Sequence, residues 1–315
     1  MKVVTGGAGF IGSNLVKKLN DNNCKDILIV DDLTDGKKIK NLAGLDFVDF
    51  INVEDFLIEI SSSKSLKDNI EVIFHQGACS STTEWNGKYL MSNNYEYSKK
   101  LLHFSSEHNI QFIYASSASV YGDGINGFLE NRSNENPINM YAFSKFQFDQ
   151  YVRDKFLTLK NQIIGLRYFN VYGPGESLKG GQASAIYHFI SQAISRNEIS
   201  LFGESDGYKP GEQMRDFIHV DDCVDVNLWF FKNPNVSGIF NVGTGQASSF
   251  NKIANCILDI HGSGSIKYIN FPDGLKDFYQ SFTEADNRSL LSNYKKEFIS
   301  IEDGVRNYYN YMNSK

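Results

Sequence analysis

Three side chains near the middle of the chain have the types and spacing needed to move a proton to and from an alcohol oxygen. Tyr141 and Lys145 are four residues apart, so they share a face if this stretch is helical. A nearby ammonium group favours the phenolate and would lower the pKa of Tyr141. A phenol tuned in this way can act as a general base on an alcohol or as a general acid on a ketone. The Ser117 hydroxyl is a candidate to hold the same substrate oxygen.

Whether the spacing of Tyr141 and Lys145 indicates a catalytic site depends on the secondary structure predicted around them. Any helix produces a tyrosine and a lysine four residues apart by chance, and the alternative is a pair of surface side chains. Here a strand is predicted over Gln111–Ser116, and Ser117 follows at its end. Tyr141–Phe156 is predicted as the next helix. Ligands bind at the carboxyl edge of parallel sheets, so Ser117 is predicted to lie where chemistry can take place.

A glycine loop at the start of the chain supplies the second signal. Gly6, Gly9 and Gly12 recur at three-residue spacing between a short β-branched strand and an amphipathic helix. Such glycines allow a tight turn, a close approach to a pyrophosphate and close helix–strand packing. The N-terminus of the helix then presents N–H donors to the phosphates. The alternative is a plain α/β turn that binds nothing.

Acidic residues at the end of the second predicted strand strengthen the case for a dinucleotide. Asp31 and Asp32 follow an apolar run at the spacing where a carboxylate accepts hydrogen bonds from adenosine ribose hydroxyls. The dinucleotide's oxidised nicotinamide would add a positive charge that also favours the Tyr141 phenolate. A carboxylate at this position favours NAD, because it repels a 2′-phosphate. Lys37 and Lys38 follow closely and could neutralise it.

Composition and charge restrict the class of protein. The chain has 315 residues, 41% hydrophobic and 22% charged, with a formal net charge of −6, so nothing indicates a nucleic-acid or anionic-membrane partner. No apolar run approaches the roughly 18 residues of a membrane span. The first predicted strand starts at residue 2, so we expect no signal peptide and a cytoplasmic protein. The cysteines and histidines are scattered, which favours reduced thiols and no metal site.

Strands and helices alternate along the first half, which predicts an α/β fold: a Rossmann-type doubly wound parallel sheet with a smaller mixed α/β C-terminal lobe. We assign 1–166 to an NAD(P)-binding domain, with parts of 217–260 returning to it, and 167–315 to a substrate-binding lobe. Further strands are predicted at 27–30, 47–51, 71–75, 162–166, 238–242 and 266–271. Further helices are predicted at 54–60, 93–108, 183–196, 220–232, 250–261, 284–293 and 300–312. Polar or glycine-rich loops are predicted at 61–68 and 197–216.

Together these motifs resemble the extended short-chain dehydrogenase/reductase family over essentially the whole chain. The resemblance implies a nicotinamide cofactor and gives Ser117, Tyr141 and Lys145 the family's catalytic roles. Sugar-nucleotide dehydratases of this family carry an Asp-Glu pair directly after the serine or threonine. Ala118 and Ser119 stand there, so elimination lacks its acid and base, and an epimerase or a reductase is favoured.

Longer runs of sequence resemble one group within this family, the ADP-L-glycero-D-manno-heptose 6-epimerases. The matching runs are 77–85, 87–89, 93–95, 167–174, 225–230 and 271–273. The resemblance implies inversion at C6″ through a transient ketone, with a tightly held NADP (NAD is possible), for the heptose of the lipopolysaccharide inner core. It also implies a small-molecule ADP-heptose substrate and a homo-oligomer, a pentamer by resemblance.

The resemblance also assigns binding residues. It makes Lys179 the second acid/base and a cofactor neighbour; a phosphate contact or a solvated charge is the alternative. Further cofactor positions, beside Tyr141 and Lys145, are Gly6, Gly9, Phe10, Ile11, Gly12, Asp31, Asp32, Lys38, Gln76, Gly77, Ala78, Cys79, Ser80, Asn93 and Val171. Substrate positions are Asn170, Gly181, His188, Phe202, Gly203, Glu204, Ser205, Arg215 and Tyr279, with His188 and Arg215 expected at the diphosphate. His188 could instead be a helix-face residue satisfied by a local partner.

Several positions depart from the group's pattern. Gly175 replaces an arginine, Gly181 replaces a serine, Gln76 replaces a glutamate, and the loop 206–214 is longer. These differences concern substrate contacts rather than reaction class. Two alternatives therefore stay open: another nucleotide-sugar epimerase or reductase of the family, and a non-catalytic dinucleotide-binding sensor.

Overall fold

The protein is described by a computed structural model that covers residues 1–62, 69–271 and 280–314. The chain forms two compact units. Unit 1 comprises Met1–Val120, Asn139–Arg167 and Val224–Phe240, and unit 2 comprises Tyr121–Ile138, Tyr168–Cys223 and Asn241–Lys315. Residues 121–138 group with unit 2, although the sequence predicts them within the first domain. Among the described residues, no helix combines the length and apolarity needed to cross a membrane.

A parallel sheet is the framework of unit 1. Its strands are β1 (Lys2–Thr5), β2 (Ile27–Asp31), β3 (Asp49–Asn52), β4 (Val72–His75), β5 (Gln111–Ser117), β6 (Ile163–Tyr168) and β10 (Gly238–Val242). In the described residues their order is β10-β6-β5-β4-β1-β2-β3. β1 pairs in parallel with both β2 and β4, so the strand order reverses beside β1. This confirms the predicted Rossmann-type α/β fold.

Helices flank this sheet, and buried side chains between the layers form the core of unit 1. The helices are α1 (Phe10–Asp21), α2 (Ile39–Leu42), α3 (Val53–Ser62), α4 (Gly87–Leu90), α5 (Tyr97–Glu107), α6 (Met140–Lys155) and α8 (Val220–Lys232), the last beginning in unit 2. A π-helical segment, Met91–Glu96, leads into α5. Leu101, Phe112 and Val152 are fully buried in the core. The predicted helix 93–108 thus starts as a π-helix. The predicted loop 61–68 is wrong at its start, because Ser61 and Ser62 are the last residues of α3, and 63–68 lie outside the described residues.

The glycine loop is required by the close approach of β1 and β4. Gly6 has φ +68°, and a Cβ there would lie 2.6 Å from Gly77 Cα. A Cβ on Gly12 would lie 2.1 Å from the Gly6 carbonyl oxygen. Neither position has room for a side chain, so the predicted role of the glycines in turn formation and packing has a direct geometric cause.

Gly12→Ala is therefore expected to be strongly destabilising. The added methyl overlaps backbone, which cannot rotate away, so we expect a loss of about 3 kcal/mol in the free energy of unfolding. Thermal denaturation and cofactor titration would measure the effect. Gly36→Ala is the matched control, because nothing lies within 4 Å of a Cβ there. Equal melting temperatures and equal cofactor affinities for the two variants would contradict this account.

The described residues of unit 2 contain two small sheets. One has the order β11-β9-β7 and the other pairs β12 with β8 in parallel. The strands are β7 (Asn170–Tyr172), β8 (Glu198–Phe202), β9 (Met214–His219), β11 (Ala247–Ser249) and β12 (Ser265–Ile269). The helices are α7 (Ala185–Arg196), α9 (Phe250–His261), α10 (Arg288–Asn293) and α11 (Ile301–Asn313). Ile190, Ile253 and Val305, from three of these helices, are fully buried together.

The predicted loop 197–216 is wrong at both ends. It contains β8 and the start of β9, and Ile199 and Leu201 of β8 are buried while Ser200 between them is half-buried. This alternation is a strand signal, but its partner β12 begins at Ser265, far along the chain. Gly207 and Gly211, both with positive φ, do form turns within the loop.

The predicted helix 284–293 is also shorter than expected, since α10 starts at Arg288. Tertiary hydrogen bonds hold the preceding residues in a non-helical conformation. Ala285 N donates to Asp216 Oδ2 at 3.0 Å, and the Glu284 carboxylate accepts from Ala247 N at 3.0 Å. These partners lie far away in sequence, so local pattern cannot reveal them.

Candidate active site

Ser117 and Tyr141 meet at the carboxyl edge of the unit 1 sheet. Ser117 is the last residue of β5, and α6 begins beside Asn139, whose side chain caps it by accepting from Ala142 N at 2.8 Å. This cap places Tyr141 in the first turn of α6. The Ser117 hydroxyl hydrogen bonds to the Tyr141 phenol. Ser117 Oγ also accepts from Ser119 Oγ at 2.9 Å, so a local partner orients the serine.

The protein's own groups do not lower the pKa of Tyr141 as predicted. Burial raises the pKa above its ordinary value, and the hydrogen bond from Ser117 lowers it by less. The Lys145 ammonium does not reverse the balance. Its Nζ donates instead to the Ala115 carbonyl oxygen at 2.7 Å. The phenol is therefore protonated at neutral pH in the protein by itself.

Lys145 is almost completely buried, at 5% exposure. Burial lowers its pKa to about 8, while the Asp149 carboxylate and the Cys79 thiol oppose the shift. The charge of Lys145 in turn helps burial to lower the pKa of His75 to about 3. His75 is consequently neutral, and its ring nitrogens pair with Thr5 Oγ1 at 2.6 Å and Ser98 Oγ at 2.7 Å. A lysine whose pKa lies this close to neutrality is typical of functional sites.

Sequence reasoning missed Asn94, which links the loop after β4 to α6. It lies in the π-helical segment, a feature frequent at functional sites. Its side chain accepts from Cys79 N at 2.9 Å and donates to Cys79 O at 2.9 Å. It also donates to Ser144 Oγ at 3.0 Å, and Ser144 Oγ donates to Tyr141 O at 2.7 Å. A π-helix has i→i+5 hydrogen bonds in place of the i→i+4 bonds of an α-helix, and hydrophobic periodicity does not reveal this difference. The local sequence therefore carries no signal for Asn94.

Predicted cofactor residues lie together at the ends of β1 and β4. Gly9 is the N-cap residue of α1 and supplies no side-chain cap, which leaves this helix end shaped for an anion. Gly77, Ala78 and Cys79 are half-buried on the loop after β4, and Ser80 is exposed. Gln76 donates to Asn227 Oδ1 at 3.1 Å. Phe10, Ile11 and Gly12 form the first turn of α1, and Asn93 lies in the π-helical segment.

The two acidic residues after β2 have different surroundings. Asp31 is 6% exposed; its Oδ2 accepts from Ala8 N at 2.8 Å, and its Oδ1 accepts from Lys38 Nζ at 2.8 Å. Lys38 Nζ also donates to Asp32 O at 2.7 Å. Asp32 is exposed, and two hydrogen bonds from Thr34 lower the pKa of its carboxyl. Asp31 is thus neutralised by Lys38, while Asp32 carries a negative charge to solvent.

These residues fit a bound dinucleotide. The Gly6–Gly77 approach removes side chains from the loop, and the end of α1 carries no carboxylate or hydroxyl cap that would compete with a pyrophosphate. The Asp31 and Lys38 pair provides both an acceptor and a cation beside the adenosine position. A nicotinamide dinucleotide held here would supply hydride acceptance and return at the carboxyl edge of the sheet.

In unit 2, Lys179 lies on a short helical segment, Glu176–Gln182, interrupted by non-helical Gly180. Glu176 anchors this segment and is fully buried. Its carboxylate accepts from Gly173 N at 3.0 Å and from Ser184 Oγ at 2.9 Å. Burial lowers the pKa of Lys179, and the Glu176 charge partly offsets that effect. Lys179 is therefore a lysine with a lowered pKa on a pinned segment.

Two predicted substrate residues lie on neighbouring strands of unit 2. Asn170 begins β7, and its amide donates to Thr283 Oγ1 at 3.0 Å and to Asp216 O at 3.2 Å. Val171, a predicted cofactor neighbour, follows it in β7. Arg215 on β9 is buried at 7% exposure, with its guanidinium 5.8 Å from the Phe250 ring centre. A buried arginine suits bidentate phosphate contact.

The remaining predicted substrate residues lie in other parts of unit 2. Phe202 ends β8 and stacks on Phe271 at 4.6 Å, and Gly203 N donates to Ile269 O at 2.8 Å. Ser205 is buried against Gln213, whose amide donates to it at 3.1 Å, while Glu204 is exposed. His188 lies on α7 with its ring 5.5 Å from Tyr187, and Gly181 is exposed. Tyr279 lies outside the described residues.

A parallel sheet with a glycine loop after β1 and a serine, tyrosine and lysine at its carboxyl edge defines an extended short-chain dehydrogenase/reductase. The family model for the NAD dependent epimerase/dehydratase family matches residues 2–243. The chain belongs to this family.

Several solved structures are similar to this chain over essentially its full length. An ADP-L-glycero-D-manno-heptose-6-epimerase of Helicobacter pylori is 30% identical, with a TM-score of 0.85, covering 100% of this chain and 96% of that chain. A UDP-N-acetylglucosamine 4-epimerase of Methanobrevibacter ruminantium, in complex with UDP-N-acetylmuramic acid, is 28% identical, with a TM-score of 0.85 and coverages of 99% and 98%. A UDP-glucose 4-epimerase of Thermotoga maritima, with UDP-glucose, is 27% identical, with a TM-score of 0.83 and coverages of 100% and 99%.

Proposed function

We propose that this protein inverts C6″ of ADP-D-glycero-D-manno-heptose to give ADP-L-glycero-D-manno-heptose. The observation that carries the reaction class is the Tyr141 phenol hydrogen bonded to Ser117 at the end of β5, with Lys145 buried on the same helix. The full-length similarity to a heptose epimerase supports the substrate. Ala118 and Ser119, which replace the acid and base of the dehydratases, favour epimerisation over elimination.

To act as the base, Tyr141 must first be a phenolate, a form that the protein's own groups do not favour and that the positive charge of an oxidised nicotinamide would promote. The phenolate then takes the proton of the C6″ hydroxyl as the carbon is oxidised to a ketone. Ser117 holds the same oxygen through its hydroxyl, and Lys145 stabilises the deprotonated phenol with its positive charge. A nicotinamide dinucleotide, if held by the glycine loop and the Asp31–Lys38 pair, would supply the hydride acceptance and return that this reaction needs. Because C6″ is exocyclic, rotation of the side chain presents the other face of the ketone, and no net redox change remains.

Lys179 is the second acid/base in this proposal, since the two epimers carry their hydroxyls on opposite faces. The pKa of Lys179 is lowered toward the operating pH, which suits an ammonium group that must donate a proton to the ketone oxygen. The pinned segment around Glu176 supports a role that needs a defined position. Asn170, Arg215, His188 and the run 202–205 are proposed to bind the nucleotide-sugar, as the family resemblance implies.

We propose NADP as the preferred cofactor. The Asp31 carboxylate would repel a 2′-phosphate, but it is buried and already paired with the Lys38 ammonium. The pair removes the negative charge that would select NAD, and the cation remains beside the ribose position. NAD stays compatible with the same contacts.

Lys38→Ala is expected to shift cofactor preference toward NAD. Without the ammonium, Asp31 is an unpaired carboxylate facing the 2′ position, so NADP affinity should fall by at least about tenfold relative to NAD affinity. Titration of each cofactor into apoprotein would measure the ratio. Lys40→Ala is a control with an exposed lysine two residues away. An unchanged ratio in Lys38→Ala would contradict the NADP proposal.

A 4-epimerase acting on a UDP-sugar is the second candidate, favoured by the two UDP-sugar epimerases at 28% and 27% identity. The deciding experiment offers the purified protein ADP-D-glycero-D-manno-heptose, UDP-N-acetylglucosamine and UDP-glucose separately and resolves the epimers by chromatography. Conversion of the heptose alone supports the proposal. Conversion of a UDP-sugar instead would replace it, and turnover of none with either cofactor would favour a dinucleotide sensor or another family substrate.

The wider setting follows from the same proposal. The product is a heptose donor for the lipopolysaccharide inner core, made by a cytoplasmic homo-oligomer. A pentamer is the expected assembly. Light scattering of the purified protein would measure the number of subunits.

A further inference from the structure

Asp149 is a buried carboxylate that the proposed mechanism does not yet use. It lies on α6 and is fully buried. Its Oδ1 accepts from the Tyr114 hydroxyl at 2.9 Å. Its Oδ2 accepts from the Ser116 hydroxyl at 2.9 Å and from Arg167 at 2.9 Å (Nε) and 2.8 Å (Nη2). The carboxylate thus joins α6 to β5 and, through Arg167, to β6.

Stability alone does not explain such a pair. Both charged side chains are completely removed from solvent, and the cost of desolvating two ions commonly equals or exceeds their attraction. Apolar residues of similar volume would fill the same space at least as stably. An ion pair retained at this cost is a candidate for a second role, and its position relative to the catalytic residues indicates what that role is.

The hydrogen bonds of Asp149 to β5 lie on either side of the hydrogen bond that Lys145 makes to the same strand. Asp149 is one helical turn beyond Lys145, so the two side chains share a face of α6. Lys145 donates to the carbonyl oxygen of Ala115, and Asp149 accepts from the side chains on either side of it, Tyr114 and Ser116. The helix is therefore fastened to three consecutive residues of β5, immediately before Ser117. A shift of α6 along β5 would break all of these bonds together.

Several groups act on the charge of Lys145. These are Asp149 from its own helix and Cys79 from the loop after β4, while His75 at the end of β4 is a neutral group whose pKa the Lys145 charge helps to lower. Burial favours the neutral amine, and Asp149 contributes the full negative charge that opposes burial. Without it, the amine would lose its proton at lower pH.

We propose that Asp149, held by Arg167, is the positioning residue of the proton-transfer site: it fixes the register of α6 on β5 and keeps Lys145 in its ammonium form. This inference rests on the proposed function, because it assumes that the Lys145 charge assists Tyr141. The expected consequence concerns the alkaline limit of activity. Deprotonation of Lys145 removes the charge that stabilises the phenolate, so activity falls as the pH rises through the pKa of Lys145. Removing the negative charge of Asp149 moves that limit to lower pH.

The test compares pH–rate profiles for epimerisation of ADP-D-glycero-D-manno-heptose. Asp149→Asn alone removes the carboxylate that balances the buried Arg167 cation and risks misfolding. The informative variant is therefore Asp149→Asn with Arg167→Met, which removes both charges. The asparagine oxygen can accept from one of the Tyr114 and Ser116 hydroxyls, and its NH2 group can donate to the other. Asp154→Asn is the matched control, because this carboxylate on the same helix is 72% exposed. In the double variant, activity is expected to fall at a pH about one to two units lower than in the wild type. The control is expected to keep the wild-type profile.

A second measurement makes the result independent of the substrate. The Nζ of Lys145 can be titrated directly by NMR in protein labelled with ¹⁵N-lysine, with Lys145→Arg used to assign the signal. Its midpoint is expected to fall in the double variant and to stay unchanged in Asp154→Asn. A folded double variant with an unchanged midpoint and an unchanged alkaline limb would overturn the inference. Failure of the proposed function gives a different pattern: no heptose turnover by the wild-type protein, with the Lys145 midpoint still lowered in the double variant.

Discussion

Tyr141→Phe is expected to lower the rate of epimerisation by about 10³-fold while leaving cofactor binding and folding nearly unchanged. The substitution removes one oxygen atom, which makes the hydrogen bond with Ser117. Ring packing is preserved, so stability should change little. The loss is that of a general acid/base aligned with a secondary alcohol.

The measurement is the rate of conversion of one C6″ epimer into the other, with bound cofactor determined on the same sample. Tyr151→Phe is the matched control, because Tyr151 lies on the same helix and its hydroxyl pairs with His103 at 2.6 Å, away from Ser117. It should retain wild-type turnover. A Tyr141→Phe enzyme with more than a tenth of wild-type activity would contradict the assignment of this tyrosine.

Lys179→Met is expected to have the next largest effect, a loss of about 10²-fold to 10³-fold. Methionine keeps most of the length and the apolar contacts of the side chain, so the Glu176 anchor is left in place. What disappears is the proton donor for the second face of the ketone. Because epimerisation needs both faces, the loss should be equal whether the reaction starts from the D-glycero or from the L-glycero epimer.

Lys209→Met, a change of an exposed lysine in the same unit, serves as the control. Single-turnover oxidation adds a readout that separates roles. Lys179→Met should still oxidise one epimer to the ketone and fail with the other, and Tyr141→Phe should show the opposite preference. If Lys179→Met oxidised both epimers and epimerised at the wild-type rate, Lys179 would be a phosphate contact or a solvated charge, the alternative left open by the sequence.

The parts of the fold that could be predicted are those with local signals. The apolar strands of the large sheet, the glycine loop and the helix beginning near Tyr141 each have a pattern within a dozen residues. The strands β8 and β12 pair across more than sixty residues, and Gly207 and Gly211, both with positive φ, give the sequence between β8 and β9 the appearance of a loop. Pairing over such a distance depends on tertiary structure, which a local window does not contain.

The same distinction holds within the candidate site. Tyr141, Lys145 and Ser117 follow from motif and position, and the structure joins Ser117 to Tyr141 directly. Asn94 and Asp149 carry no motif that differs from an ordinary helical polar residue, and their partners come from other strands and helices. The direction of the Tyr141 pKa also depends on burial, a property of the packed protein.

The position of Asp31 can be predicted from the sequence, but the net charge at that position cannot. Its place after β2 predicts a carboxylate at the ribose, and a carboxylate alone predicts NAD. The structure adds the ion pair with Lys38 and the hydrogen bond from Ala8 N. The charge presented by the site is then set by the pair, which is why we propose NADP.

In the proposed reaction C6″ is oxidised and the same hydride returns to it. The most direct test converts ADP-D-glycero-D-manno-heptose carrying deuterium at C6″, in ordinary water and without added cofactor, and locates the label in the product. We predict an L-glycero product that retains the deuterium at C6″, because the hydride never exchanges with solvent. A product that has lost the label to water would contradict the oxidation–reduction account, and absence of conversion with both cofactors supplied would contradict the proposed substrate.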